Sequence, residues 1–272
     1  MAIRVVTLVV DLDNTLFDWL TDWYAPFIAA RDQVVSWLGD EKSADQAIRR
    51  IHRESGTTEC EHLLQSIKAG GSLPFAEAIE QPVIQASAAL SLYPGVLNAL
   101  KRVRSLGANV YVCTESMRRH AVPRIHRSGL DGIVNAVFCR ADGPLPVSVG
   151  TPDARLERTE VHVLPSNRSK PDPEILLHVL RTANAPAATA VYVGDSLARD
   201  IKMADAAGIR GIYAKYGDTS GRAEMDCLRR ISHWSDEEIA AAGTGERPKD
   251  GMLALVHGFD EIFDHLRFEG DA

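Results

Sequence analysis

At 272 residues, with 45% hydrophobic and 25% charged content, the chain has the make-up of an ordinary globular protein, long enough for one large domain or a core domain carrying an insertion. A net charge of -7 argues against a nucleic-acid partner, because gripping a phosphate backbone needs a basic face. No apolar stretch reaches membrane-spanning length, no basic segment with a cleavable apolar run opens the chain, and Cys60, Cys113, Cys139 and Cys227 form no CxxC pair. The expectation is a cytoplasmic protein without zinc, disulfide framework or membrane contact, acting on a small metabolite.

Val5 to Val10 is short, β-branched and almost wholly apolar, as in a parallel strand covered on both faces. It runs into Asp11-Leu12-Asp13-Asn14-Thr15-Leu16. Ligands of open α/β sheets bind beyond the carboxyl ends of the strands, where Asp11 and Asp13 would stand. Two residues apart on an extended backbone, their side chains leave on one side. Paired carboxylates repel unless a hard cation or a shared proton relieves them. On the hexapeptide alone, a reactive pair and a helix-capping turn involving Thr15 fit equally well.

From Phe17 onward the apolar spacing is helical. Phe17 to Leu38, with Pro26 expected to kink or divide it, is followed by Ser43 to Arg53, Glu59 to Ile67 and Pro74 to Leu90. Gly39-Asp40, Ser55-Gly56-Thr57 and Gly70-Gly71-Ser72 separate them, giving an all-helical insert. After Tyr93-Pro94-Gly95, strand and helix alternate. Helices are expected over Val96 to Leu106, Arg118 to Arg127, Pro173 to Thr182 and Leu197 to Ala207. Strands are expected over Asn109 to Cys113, Val134 to Cys139, Ala190 to Val193 and Ile209 to Tyr213. That alternation implies a parallel sheet.

Three polar groups fall at junctions in this half. Thr114 follows a strand, so its hydroxyl and the amides of Glu115 and Ser116 could receive an anion at a helix N-terminus; taken alone, Thr114 reads as an N-cap. Lys170, in Ser169-Lys170-Pro171-Asp172-Pro173, is held near a helix start; alone it reads as a solvated charge. Asp195 closes the strand of Val191-Tyr192-Val193-Gly194 and alone could be a cap for the helix Leu197 to Ala207, within which Asp200 follows five residues later.

Taken together, strand-DLDNTL, strand-CTES, SKPDP at a helix start and strand-GDSLARD resemble the haloacid dehalogenase superfamily, whose four motifs occur in this order. The resemblance covers residues 1–16 and 93–216, and the helical insert falls where that superfamily carries its first type of cap, as in its phosphoglycolate phosphatase-like members. It implies a doubly wound, Rossmann-like α/β core over 1–16 and 93–272 with a helical cap domain over 17–92.

By the same resemblance, Asp11 matches the nucleophile that forms an aspartyl-phosphate, and Asp13 the general acid and base. Thr114, with Glu115, and Lys170 match the groups that hold the phosphoryl oxygens. Asp195, Asp11 and the backbone carbonyl of Asp13 match the ligands of Mg²⁺, with Asp200 orienting Lys170 or a metal-bound water. The Asp-x-Asp pattern implies a phosphatase acting on a small phosphate ester, as monomer or homodimer. The alternatives are a phosphotransferase or mutase of the same family, and a non-catalytic phosphate-sensing or partner-binding protein.

Substrate choice is expected to lie in the cap, whose inward polar candidates are Asp18, Trp19, Trp23, Tyr24, Arg50, His52 and Arg53. Two stretches depart from the compact pattern. Arg140 to Ser169, with Pro144, Pro146, Pro152 and Pro165 and a strand over Val161 to Leu164, is expected to be a surface hairpin or rim loop. Asp218 to Asp250, with a helix start at Ser235-Asp236-Glu237-Glu238, is expected to be surface decoration, with dimerisation or contact with a partner as the alternative for both stretches. Met252 to Val256 and Asp260 to Arg267 follow as the final strand and helix.

Overall fold

A computed structural model describes residues 3–61, 63–64, 80, 90–143, 155–242 and 250–268. The helix expected over Pro74 to Leu90 lies outside the described residues, apart from Glu80 and Leu90, as do Pro144, Pro146 and Pro152.

Among the described residues the main sheet has seven strands, all parallel. At its centre lies Thr7–Val10 (β2; Ile3–Val5 is β1), flanked by Asn109–Met117 (β3) and Ala190–Gly194 (β6). Ala136–Arg140 (β4) and Glu160–Val163 (β5) continue one side; Arg210–Ala214 (β7) and Ala254–Leu255 (β8) continue the other. Leu8 and Val10 enter one buried cluster and Val9 another, so the strand's two-residue period loads both faces with helices. Val96–Ser105 (α3; Trp19–Leu38 is α1 and Glu41–Ser55 is α2) and Arg118–Arg127 (α4) supply the first face. Pro173–Thr182 (α5) and Lys202–Ala206 (α6) supply the second. Val10 pairs with Val112 of β3 and Val193 of β6. Asp11, Thr114 and Asp195 therefore emerge within a residue of one another at the carboxyl edge.

Several expectations are corrected. The Val5 to Val10 run breaks at Val6, and β1 pairs in parallel with Leu266–Phe268 (β9). The expected helix over Asp260 to Arg267 shrinks to Ile262–His265 (α9) before β9, because buried Leu266 and Phe268 flank exposed Arg267 with a strand's alternation. Leu197 to Ala207 opens as a π-helical stretch, Leu197–Ile201, ahead of α6. Helix α1 runs unbroken through Pro26, since Trp23, Phe27, Ala30 and Val34 bury one continuous face.

The segment from residue 140 to 169 carries the expected strand as β5 at the sheet edge, and its Ser166, Asn167, Arg168 and Ser169 form a rim loop of the cavity. The stretch after Asp218 is no decoration. Its helices are Ala223–Ile231 (α7) and Asp236–Ala242 (α8), and Met225, Cys227, Leu228 and Ile231 of α7 join one buried cluster with α1, α2, Leu63 and Leu64. All four cysteines are buried and free. Among the described residues, no helix is long and apolar enough to cross a membrane.

Candidate active site

A cavity of about 550 Å³ opens beyond the strand ends, lined by Asp11, Asp13, Thr114, Glu115, Lys170, Asp195 and Asp200 among others. All seven sequence-derived candidates thus share one site. Lys170 Nζ lies 2.6 Å from Asp11 Oδ1 and 2.8 Å from Asp200 Oδ1. Burial opposes the ammonium charge, but Asp11 and Asp200 outweigh it and hold Lys170 above its ordinary pKa. Asp200 is anchored in turn: the Tyr192 hydroxyl donates to its Oδ1 at 2.7 Å and the Ser196 amide to its Oδ2 at 3.0 Å. The glycine of the last motif is required by this approach, since a Cβ on Gly194 would stand 2.5 Å from the Asp200 side chain.

One carboxylate oxygen each of Asp11, Asp195 and Asp200 lie within 4.8 Å of one another. Three carboxylates around one ammonium leave negative charge uncompensated. Burial, then Asp200 and Asp11, push Asp195 well above the usual carboxylate range, and burial raises Asp11 to about 7 against the pull of Lys170. The donor set is all oxygen and short of positive charge, so it fits a hard divalent cation such as Mg²⁺. Asp200 is the least available of the three, its oxygens being committed to Lys170, Tyr192 and Ser196.

Asp13 has separate surroundings. Arg124 Nη1 donates to its Oδ1 at 2.7 Å and the Ser116 hydroxyl to its Oδ2 at 2.6 Å. Arg124 Nη2 donates to Glu59 Oε1 at 2.6 Å, and the Trp19 indole reaches the same oxygen at 3.2 Å. Burial works against Arg124's charge, but Asp13 and Glu59 outweigh it. Arg124 and His120 likewise hold Glu59 below the usual range despite burial. One buried guanidinium therefore joins the second aspartate to the helical insert.

Sequence reasoning missed Arg124, Glu59 and Ser116 in these roles. The available signal was Arg124 sharing one helical face with buried Ala121 and Ile125, a charge on an apolar stripe.

Other candidates are corrected. Strand β3 continues to Met117, so Thr114 sits in a strand end rather than at a helix N-terminus. Its Oγ1 accepts from the Ser116 amide at 3.0 Å, which removes that amide as an anion donor. The Glu115 carboxylate pairs with Arg199 and accepts from the Lys170 amide, so only the Glu115 backbone is open to a phosphate.

Of the seven cap candidates, only Trp19 lines the cavity. Trp23 stacks between Trp19 and Phe27, with its indole donating to the Thr58 carbonyl. Buried His52 donates from Nδ1 to the Ile231 carbonyl at 2.7 Å, and Arg53 turns to Asp236. Asp18 faces Arg222 at 3.8 Å. The cavity's far wall comes instead from Arg140 and from residues of the late segment, including Met225, Leu228, His233 and Trp234.

Residues 5–208 match the haloacid dehalogenase-like hydrolase family. The phosphoglycolate phosphatase of Pseudomonas fluorescens is 25% identical over 218 residues, covering 78% of this chain and 70% of its own. Phosphoglycolate phosphatase 1 of Pseudomonas aeruginosa is 26% identical over 222 residues, with the same coverage. In fold, the chain is similar to a HAD phosphatase from Thermococcus onnurineus, at TM-score 0.52 and 16% identity over 96% of this chain and 99% of that one. It is similar also to a 2-haloacid dehalogenase from Pseudomonas syringae, at TM-score 0.51 and 18% identity over 96% and 97%. One fold thus serves a phosphatase and a dehalogenase, and the side chains at the site must decide between them.

Proposed function

The chain belongs to the haloacid dehalogenase-like hydrolases, and on that premise we propose that it is a Mg²⁺-dependent phosphomonoester hydrolase working through an aspartyl-phosphate on Asp11. The observation that carries this reading is that the two aspartates share one cavity but have separate partners. Asp11 stands against Lys170 and two further carboxylates, whereas Asp13 is held 2.6 to 2.7 Å from a hydroxyl and a guanidinium. Ester cleavage needs both a nucleophile and a separate proton carrier; displacing a halide needs no acid.

Asp11, Asp195 and the Asp13 carbonyl would hold Mg²⁺, which when bound supplies positive charge against the phosphoryl oxygens. Lys170 places its ammonium beside the attacking oxygen, and Asp200 fixes Lys170 there. Asp11 attacks phosphorus as the ester P–O bond breaks, and Asp13 gives its proton to the departing alkoxide. In the second half-reaction Asp13 takes a proton from water, which attacks the acyl phosphate and frees phosphate and Asp11. The Thr114 hydroxyl and Glu115 amide orient the phosphoryl oxygens. Residues 17–92 act as the cap over a core of 1–16 and 93–272, with Glu59 and Trp19 meeting Asp13's partner Arg124.

The test is turnover of an aryl phosphate with Mg²⁺ and with EDTA, together with trapping of a labelled phosphoenzyme in wild type and in Asp11→Asn. Metal-dependent turnover and loss of label in the variant are expected. A broad panel of phosphate esters left untouched would refute the reading.

A further inference from the structure

Asp13 is held by a relay of side chains that begins in the insert. Both of its oxygens are engaged: the Ser116 hydroxyl donates to Oδ2 at 2.6 Å and Arg124 Nη1 to Oδ1 at 2.7 Å, while the same Nη1 reaches Ser116 Oγ at 3.0 Å. Ser116 lies near the end of β3 and Arg124 on α4, so these three residues belong to the part of the chain built on the sheet. The other arm of Arg124 leaves that part. Its Nη2 donates to Glu59 Oε1 at 2.6 Å, and the Trp19 indole, also from the insert, donates to the same oxygen at 3.2 Å. The Arg124 side chain is 7% exposed and that of Glu59 16%, so water screens the pair little.

We propose that Glu59 and Arg124 are positioning residues for Asp13: the insert aims the proton carrier, which is set to protonate the leaving group only while Glu59 is seated against Arg124. The proposal rests on the phosphatase reading and adds to it the dependence of one chemical step on the insert. A guanidinium suits such a relay because its two terminal nitrogens share one rigid plane, so a shift of Glu59 that turns Nη2 also turns Nη1. A lysine ammonium has the same charge on a flexible stem and does not tie the two positions together. A proton carrier must stay within hydrogen-bond reach of the atom it serves, and a misplacement of about 1 Å costs about 10²-fold in rate.

A second tie between the insert and α4 provides a control. Glu61 Oε2 lies 3.2 Å from His120 Nδ1, with side chains 12% and 6% exposed, which is burial much like that of the Arg124–Glu59 pair. It joins the insert to the same helix through neither Arg124 nor Asp13.

Rates with Mg²⁺ are measured for ethyl phosphate and 4-nitrophenyl phosphate in wild type, Glu59→Ala, Glu59→Gln, Arg124→Lys and Glu61→Gln. Glu59→Ala and Arg124→Lys should lower the ethyl-to-nitrophenyl ratio by about 10- to 100-fold, in kcat rather than KM, because the nitrophenolate leaves without needing a proton. Glu59→Gln, which keeps an acceptor oxygen for Arg124 and Trp19, should recover most of the ratio, and Glu61→Gln should leave it as in wild type. A wild-type ratio in Glu59→Ala, or an equal fall in Glu61→Gln, would overturn the proposal. If Glu59→Ala does not fold, Arg124→Lys decides by the same ratio.

Crystal structures of wild type and Glu59→Ala separate the two readings. If wild type cleaves neither ester, the hydrolase reading falls, and the relay stands only if the Asp13 carboxylate has left its place in the variant. If the esters are cleaved with the wild-type ratio and Asp13 keeps its 2.7 Å bond to Arg124 without Glu59, the hydrolase reading stands and the relay falls.

Discussion

The strand-end wall of the cavity and the wall facing it are held by different means. At the strand ends, Asp11, Thr114 and Asp195 are placed by the backbone register of three adjacent strands, Lys170 reaches Asp11 at 2.6 Å, and Asp200 holds Lys170 at 2.8 Å. The facing wall is a composite. Trp19 and Glu59 come from the insert, while His233 and Trp234 come from the segment after Asp218, far along the chain. The two parts meet through the α7 apolar face, the hydrogen bond from His52 to Ile231, and ion pairs from Arg49 and Arg53 to Asp236. The first wall is defined by backbone ladders, whereas every contact that joins the parts of the second involves a side chain. Arg124 is the bridge between them.

The largest effect expected is at the strand-end wall. Asp13→Asn preserves size but cannot deliver a proton, so cleavage of an alkyl phosphate should fall by about 10² to 10⁴ while an aryl phosphate, whose leaving group needs little help, falls far less. Equal losses for both would show that Asp13 acts structurally through Arg124. Next comes the bridge. Arg124→Met leaves Asp13 and Glu59 facing each other without a cation, and breaking such a buried pair costs about 3 to 5 kcal/mol in urea unfolding. Adding Glu59→Gln should recover part of that loss; no recovery would mean that Arg124 does not couple the two walls.

The contrast between the walls also explains what was readable beforehand. The positions of Asp11 and the late aspartates were legible because they follow strand ends, and that of Lys170 because Ser169-Lys170-Pro171-Asp172-Pro173 marks a helix start, so a local pattern carries each. Arg124 was not, because its meaning depends on Asp13 at 111 residues' separation and Glu59 at 65. Pro26 misled because a proline's cost is local, whereas the burial of Trp23, Phe27 and Ala30 that overrides it is tertiary. The late segment was read as decoration because α7 shows its apolar face only as Met225, Leu228 and Ile231. Nothing in that pattern says that α1 and α2 cover it.

A smaller effect should follow from His52, which sits where the insert meets α7. Burial lowers its pKa from 6.5 to about 4, while Ile231's carbonyl opposes the fall. A depressed histidine is neutral in the folded protein and protonates first in the unfolded chain. Its stability contribution is therefore complete above pH 6.5 and is lost as pH falls from there towards 4, on the order of 3 kcal/mol. Urea unfolding at pH 7.5 and pH 4.5, compared between wild type and His52→Gln, isolates that contribution. An identical pH dependence in both proteins would show that the junction does not exclude water from the imidazole.

The smallest effect should come from Asp236, and it bears most directly on what joins the composite wall. Its carboxylate draws Arg49 at 2.6 Å and Arg53 at 3.1 Å, so by distance alone it looks like the strongest tie between insert and late segment. Yet its side chain is 80% exposed and that of Arg53 45%, so water and salt compete for every contact. Such pairs contribute about 0 to 1 kcal/mol, and Asp236→Ala should lower stability by no more than that, with the difference vanishing in high salt. Leu228 and Ile231, fully enclosed against α1 and α2, would then carry the junction by apolar burial. A loss well above 1 kcal/mol that persists in salt would reverse the assignment and make the facing wall an electrostatic latch.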